Sequence, residues 1–214
     1  MTPGIDRTLI VSGMRRILVL FLIAATGWWI YSITRPVRYP PGVLVKGEPL
    51  QSALTNEQAE PWAFGPYRMR ALANFDITAR LLSRKFYHSD EMSDLAPIDF
   101  AVGWGPMSDQ AILDRISVWQ TGRFFFWKYQ NPPPIGRDEI ICHAANMHLI
   151  PSTPKVEAQL KQVQTGDLFR LRGSLVEATK PGINPIRSSL IRTDTGKGAC
   201  EVVWVESVER VDAK

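Results

Sequence analysis

Residues 153–175 read TPKVEAQLKQVQTGDLFRLRGSL, and this stretch decides the class of fold. Thr153 followed by Pro154 is a helix start: an N-cap hydroxyl, then a proline whose missing N–H costs nothing at the first helical position. Val156, Leu160 and Val163 recur at spacings of four and three, so they share one helical face. Gly166 is placed to end the helix. The period then changes to two. Phe169, Leu171 and Leu175 alternate with Arg170, Arg172 and Ser174, which predicts a half-buried strand.

Downstream, Pro181-Gly182 supplies a turn, residues 186–192 a further strand, and Asp194-Thr195-Gly196 another turn. The last strand covers 199–208. Val203 and Val205 lie on one face and Val202 and Trp204 on the other, so it is expected to be central rather than an edge. Upstream, residues 139–150 (EIICHAANMHLI) read as a strand, or a strand with a bulge. Residues 69–82 alternate as well, with Phe75, Ile77, Ala79 and Leu81 on one face and Asp76, Thr78 and Arg80 on the other. A polar loop follows from 83. Residues 98–104 predict a second strand, stopped by Gly105-Pro106. Ser108 reads as the N-cap of a short helix through Arg115, with Ile112 and Ile116 inward. Residues 118–120 and 124–129 predict a hairpin about Thr121-Gly122, closed off by Pro132–Pro134. Its aromatic run (FFFWKY) is expected to fill a core, with a carbohydrate- or peptide-stacking surface as the alternative.

Strands and helices do not alternate regularly, which excludes a doubly wound parallel sheet. The expected class is α+β: one N-terminal transmembrane helix, then a mainly antiparallel, β-rich domain with one or two short helices. Its strand–helix–strand order resembles part of a small, partly open OB-like barrel.

The membrane segment is RRILVLFLIAATGWWIYSITRPVR, residues 15–38. No charge falls between Arg16 and Arg35. A run of about 18 residues is the lower end of what spans a bilayer as a helix. Trp28, Trp29 and Tyr31 mark an interface level. The flanking charges are nearly balanced, and the Arg15-Arg16 pair abutting the run favours an N-terminus on the inside. Ala25-Thr26-Gly27 would serve a cleavable signal peptide, but the Trp-Trp-Ile-Tyr continuation favours a retained anchor. The expected layout is a tail over 1–14, a transmembrane helix over 15–35, a Pro-rich linker over 36–66 and a globular α+β domain over 67–214. The linker is read as an extended tether or an arm laid on the domain, with an edge strand at Val43–Val45 and an aromatic docking point at Trp62 and Phe64. The domain is long enough to bury its own core.

Net charge is +4. The arginines of the first 34 residues account for half of it, so the domain lacks the clustered excess of a nucleic-acid binder. The phrases FDITARLLSRKFY, APIDFAVGWGPMSD, ANMHLIP, VQTGDLFRLRGSLVEA and TDTGKGACEVVWVE together resemble a family of bacterial proteins with an N-terminal membrane segment. The resemblance runs from about Phe75 to Glu206. It implies a bacterial origin, and no activity or functional residue is carried over from it.

No strong catalytic motif is present. There is no GxSxG around Ser174, no phosphate-binding glycine loop and no HExxH. His143 and His148 are five apart, which aims them apart on a strand or a helix; with His88 they predict no metal site, and no cofactor is implied. Asp99, Asp109 and Asp114 fall near Trp104 in sequence and read as ordinary strand and helix residues. Trp104, Asp99, Asn146, His148 and Arg192 are polar or aromatic residues beside apolar strands and are the groove candidates. Cys142 and Cys200, both in expected strands, are the candidates for one disulfide if the domain is extracytoplasmic.

The expected function is a membrane-tethered accessory or binding module with no identifiable catalytic site. Its C-terminal domain would be periplasmic on a bacterial inner membrane, engaging another envelope protein or a polymer. Two alternatives stand beside it. One is an envelope hydrolase using dispersed carboxylates or His143 and His148. The other is a cytoplasmic-facing OB-like domain binding nucleic acid or protein through a basic stripe of Arg170, Arg172, Arg187 and Arg192.

Overall fold

In the computed structural model the alternation around Phe75 grows into one long strand, Tyr67–Phe86, about which the domain is arranged. The structure describes residues 19–28, 31, 35–191, 193–196 and 198–213. The chain divides into two units, Met1–Pro36 and Val37–Lys214. In the first, residues 19–28 are helical (α1), and the Trp28 and Tyr31 rings lie 6.0 Å apart. Among the described residues no helix is long and apolar enough to cross a membrane. The remaining parts of the apolar run, residues 15–18, 29–30 and 32–34, lie outside the described residues.

The second unit is an α+β domain with a mostly antiparallel sheet. Its strands are β1 (Leu50–Ser52), β2 (Trp62–Phe64), β3 (Tyr67–Phe86), β4 (Ile98–Gly103), β5 (Ile116–Thr121), β6 (Phe124–Tyr129), β7 (Ala144–Pro151), β8 (Leu168–Thr179), β9 (Ile186–Arg187) and β10 (Glu201–Arg210). Its helices are a 3₁₀ turn at Gly105–Ser108, α2 (Gln110–Leu113), α3 (Arg137–Cys142) and α4 (Pro154–Gln162). β3 pairs with β4, β4 with β7, β7 with β10, β10 with β8, and β8 again with β3, so five strands form a closed circuit of hydrogen-bonded pairs. Among the described pairs β7–β10 is the parallel one. Register shifts at Ala71/Ala73 and Leu81/Ser83 bend β3, as an extra residue in one strand does. The bend lets β3 serve β8 along most of its length and β4 at its end.

Inside the circuit lie Phe75, Ile77, Ala79 and Leu81 of β3, Phe100 and Val102 of β4, Met147 and Leu149 of β7, Phe169 and Leu171 of β8 and Val203 and Val205 of β10. Val156, Leu160 and Val163 of α4 and its C-cap join the same core, the face expected from their spacing. Thr153 Oγ1 accepts from the Val156 N–H at 3.2 Å, and Gly166 has φ +94. β10 is central, as its two apolar faces predict.

Several expectations need correction. Residues 137–142 form α3, not a strand; the strand begins at Ala144. β9 is two residues long, where a strand over 186–192 was expected. The strand read to end at 82 runs on to Phe86. Arg80 is not on a solvated face but 3% exposed, donating to Ser108 O at 3.0 Å and Gln110 Oε1 at 2.5 Å. The N-cap of α2 is Asp109, whose carboxylate accepts from Ala111 N–H. Ser108 instead turns its Oγ to the N–H groups of Leu44 and Val45.

Those last contacts belong to a strap. Val37 N–H donates to Thr165 O at 2.8 Å, Gly42 N–H to Asp109 Oδ1 at 2.9 Å, and Gly105 N–H to Val45 O at 2.7 Å. Val45 is buried in the main core. The strap crosses Gly166 so closely that an added Cβ would overlap Val37 O. Of the two readings of the proline-rich stretch, the laid-down arm describes residues 37–48. The edge strand expected at Val43–Val45 is absent among the described residues; β1 and β2 pair with β3 further on.

Candidate functional site

Polar residues inside apolar strands need partners, because an unpaired buried polar group costs about 1–3 kcal/mol. Asp99 of β4 and His148 of β7 face each other across the register, and Asn146 shares their face two positions earlier. This face points away from the core of Met147 and Leu149. All three are buried. The β5–β6 hairpin comes down over them, and its turn residue Arg123 (φ 69) fills the gap.

Arg123 is the hub of the cluster. Its guanidinium donates to both Asp90 oxygens (2.7 and 2.6 Å), to Asp99 Oδ1 (2.8 Å) and to Ala96 O (2.8 Å). It stacks 3.6 Å from the Tyr87 ring centroid, and its backbone N–H donates to the Tyr87 hydroxyl. Burial opposes its charge, but Asp90 and Asp99 outweigh burial and raise its pKa; in return Arg123 holds the Asp90 carboxyl below its ordinary value. Asn146 Oδ1 accepts from Gln120 Nε2 at 2.8 Å, and its Nδ2 donates to Arg123 O at 3.0 Å and to Cys200 Sγ at 3.6 Å.

His148 Nδ1 lies 3.0 Å from Asp99 Oδ1, an ion-pair approach that falls off the in-line direction of a hydrogen bond. Burial disfavours the imidazolium, but Asp99 and Cys200 together outweigh it and raise the pKa to about 9.

Beside the cluster opens a cleft of about 210 Å³. Phe124, Phe125 and Trp127 of β6 and Ile141 of α3 form its apolar wall, and Asn146 and Cys200 its polar floor. The aromatic run therefore does not simply fill a core. Phe125 and Trp127 face the domain, while Phe124 (41% exposed), Phe126 (42%) and Trp119 (44%) face solvent. Trp119 and Phe126 are cross-strand partners with stacked rings.

Of the expected groove residues, the structure brings together Asp99, Asn146 and His148. Trp104 lies elsewhere: it is buried and clamps the strap, its Nε1 donating to Glu48 Oε2 at 2.6 Å. Arg192 lies outside the described residues. Cys142 ends α3 and Cys200 precedes β10, neither in the strand expected for it, and both are free. His143 caps α3 and sits by Glu48 and Trp104, so the two histidines belong to different clusters. Asp109 and Asp114 are also separate from Asp99, serving the strap through Gly42 and Arg38. Among the described residues no group of three or more His, Cys, Asp or Glu could hold a metal ion.

Sequence reasoning missed Arg123, Gln120, Tyr87 and Asp90. An arginine in a hairpin turn was visible, but its partners lie 24 and 33 positions away. No protein-family model, curated protein or solved structure matches this chain.

Proposed function

We propose that the chain is a membrane-anchored binding module of a bacterial envelope, its domain periplasmic and engaging another envelope protein or a polymer through the β5–β6 hairpin. The observation that carries this reading is the solvent-facing aromatic surface of Trp119, Phe124 and Phe126 beside the cleft. Exposed aromatics grouped on one ribbon are typical of recognition surfaces.

The strand circuit supports it. In the order β3-β4-β7-β10-β8, with α4 between β7 and β8, the domain is read as a small OB-like barrel. Such barrels bind ligands on the face of their second and third strands and with the loop before the last strand. Here those strands are β4 and β7. The hairpin stands over that face, and the cleft lies between the hairpin and residues 194–196 and 199–201. The analogy concerns architecture and names no ligand.

The nucleic-acid alternative finds less support. Arg170 and Arg172 both pair with Asp76, and Arg187 pairs with Glu177. Asp76 and Glu177 thus offset part of the charge of the stripe, and the ligand face carries the buried carboxylate of Asp99. The hydrolase alternative loses one of its forms, since His143 and His148 do not converge.

A photo-crosslinking amino acid placed at Trp119 or Phe126 in intact cells tests the reading. A discrete adduct at these positions, absent for a probe at exposed Lys155 on α4, is expected. Identical patterns from both faces refute it. Reporter fusions after Lys214 test the orientation, with activity expected from the periplasm-dependent reporter and refutation from the cytoplasm-dependent one.

A further inference from the structure

Resting on the hairpin as the binding element, we propose that the free edge of β6 takes up an extended segment of a partner protein as an added strand. One large apolar side chain of that segment sits in the cleft. What the hairpin recognises is then extended main chain, not a sugar polymer.

Strand pairing fixes which groups are free. β5 and β6 form a two-stranded sheet of their own. Their turn, Gly122-Arg123, has positive φ at both residues (56 and 69), the short connection that suits the twist of paired strands. A turn of this kind is closed by a hydrogen bond between its flanking residues, here Thr121 and Phe124. At the other end Gln130 N–H donates to Arg115 O at 3.0 Å. Bonded and non-bonded pairs alternate along an antiparallel ladder, so Phe124, Phe126 and Lys128 turn their main-chain groups to β5. Phe125 and Trp127 turn theirs the other way. Among the described residues β6 pairs with no other strand, and no turn or loop bond reaches the main chain of Phe125 or Trp127. These two residues alone present two donors and two acceptors along an open edge. β6 has neither a proline nor a bulge to blunt that edge.

The open edge and the cleft coincide. Phe124, Phe125 and Trp127 of β6 line the cleft, and no residue of β5 does. The far wall is residues 194–196 and 199–201, and Ala144 to Asn146 of β7 close the bottom. β10 offers no second edge, because β7 and β8 take both of its sides. An incoming strand therefore pairs with β6 alone. The cleft of about 210 Å³ exceeds a cavity of about 150 Å³ that admits benzene. It holds one aromatic or large aliphatic side chain, packed on Trp127 and Ile141. Successive residues of a strand point to opposite faces, so the neighbours of this anchor meet the outer face, where Phe124 and Phe126 are exposed. Among the described lining residues Asp194 and Glu201 outnumber Arg137, which favours neutral or basic flanks over acidic ones. Main-chain bonds supply affinity and the pocket supplies choice, as in other cases of strand addition.

A random heptapeptide library displayed on phage is selected on the full chain in lipid nanodiscs. Recovered peptides are then synthesised with a single N-methyl group moved along the backbone. The expected peptides carry one aromatic or large aliphatic anchor. Their affinity falls at least about tenfold when alternate amides are methylated and little at the amides between. Ala199→Trp, which fills the cleft from its far wall, weakens binding by a similar factor. Recovery of no peptide, or a methyl scan without a period of two, overturns the proposal. The scan is read on the parent chain, so it does not depend on a variant folding. Peptides without that period that are weakened by Trp119→Ser with Phe126→Ser, but not by Ala199→Trp, overturn strand addition and leave the hairpin as the binding element. Identical crosslinking from both faces in cells refutes the hairpin itself.

Discussion

Stability of the domain should fall as pH rises through the neutral and mildly alkaline range, and His148 is the reason. The folded protein holds this proton with a pKa of about 9, against 6.5 for an unperturbed ring. Burial alone would push the value down; Asp99 and Cys200 more than reverse it. Because the folded state binds the proton more tightly than the unfolded chain, the stabilisation is complete below pH 6.5. It is lost progressively up to about pH 9. The difference corresponds to ~3 kcal/mol, at about 1.4 kcal/mol per pH unit. That is a large part of a typical total of about 5–15 kcal/mol. Urea unfolding at pH 6, 7.5 and 9.5, with the hairpin tryptophans as fluorescent reporters, measures the decline. The ring's ¹⁵N shifts give its protonation directly. His148→Gln should weaken the domain at pH 6 and flatten the decline. A neutral His148 at pH 7.5, or equal slopes in parent and variant, refutes the reasoning.

Other expectations concern single positions. Arg123→Ala leaves the Asp99 carboxylate buried without its guanidinium and should cost about 3–5 kcal/mol, read as a shift in the urea midpoint. Gly166→Ala combines a positive φ with overlap of Val37 O and should cost roughly 2 kcal/mol, detaching the strap and increasing proteolysis near residues 37–48. Trp119→Ser with Phe126→Ser removes one stacked, half-exposed pair. It should change stability by about 1 kcal/mol or less while abolishing the adduct formed from a crosslinking residue at the neighbouring exposed position Phe124.

Much of the β framework was readable because strands such as β3 alternate between a dry core and a more polar face, while β10 is apolar on both faces. Phe75 to Leu81 show this alternation, and Val156, Leu160 and Val163 show the helical version. Where the periodicity was ambiguous the reading failed. Ile140 and Ile141 beside Cys142 form an apolar run too short to separate strand from helix, and the helix won through packing of Ile140. The FFFWKY run has no polar partner positions except Lys128, so sequence could not say which aromatics face outward.

The site was half legible for a related reason. Asp99, Asn146 and His148 stood out as polar interruptions of apolar strands, and such residues must find partners. Their partners could not be read, since Arg123 and Asp90 meet them through the descent of a hairpin rather than through any local repeat. Trp104 misled because a buried indole with one polar contact looks, in sequence, like a groove residue. Ser108 misled because a serine before a helix usually caps that helix, whereas here it secures backbone arriving from residues 44 and 45.

The strap also determines how the domain would carry mechanical load. Tension arriving along the chain from Pro36 enters at Val37, whose N–H is bonded to Thr165 O and whose carbonyl accepts from Arg80. Force is therefore delivered to the long strand β3 and the turn before β8, not to the hairpin or the cleft. The bonds of Val37, Gly42, Leu44 and Val45 would then open one after another, as in a peeled strip. Full release of residues 37–48 would free about 40 Å of extended chain. Under low load residues 37–48 stay bound to the domain; under high load they extend while the strand circuit stays closed.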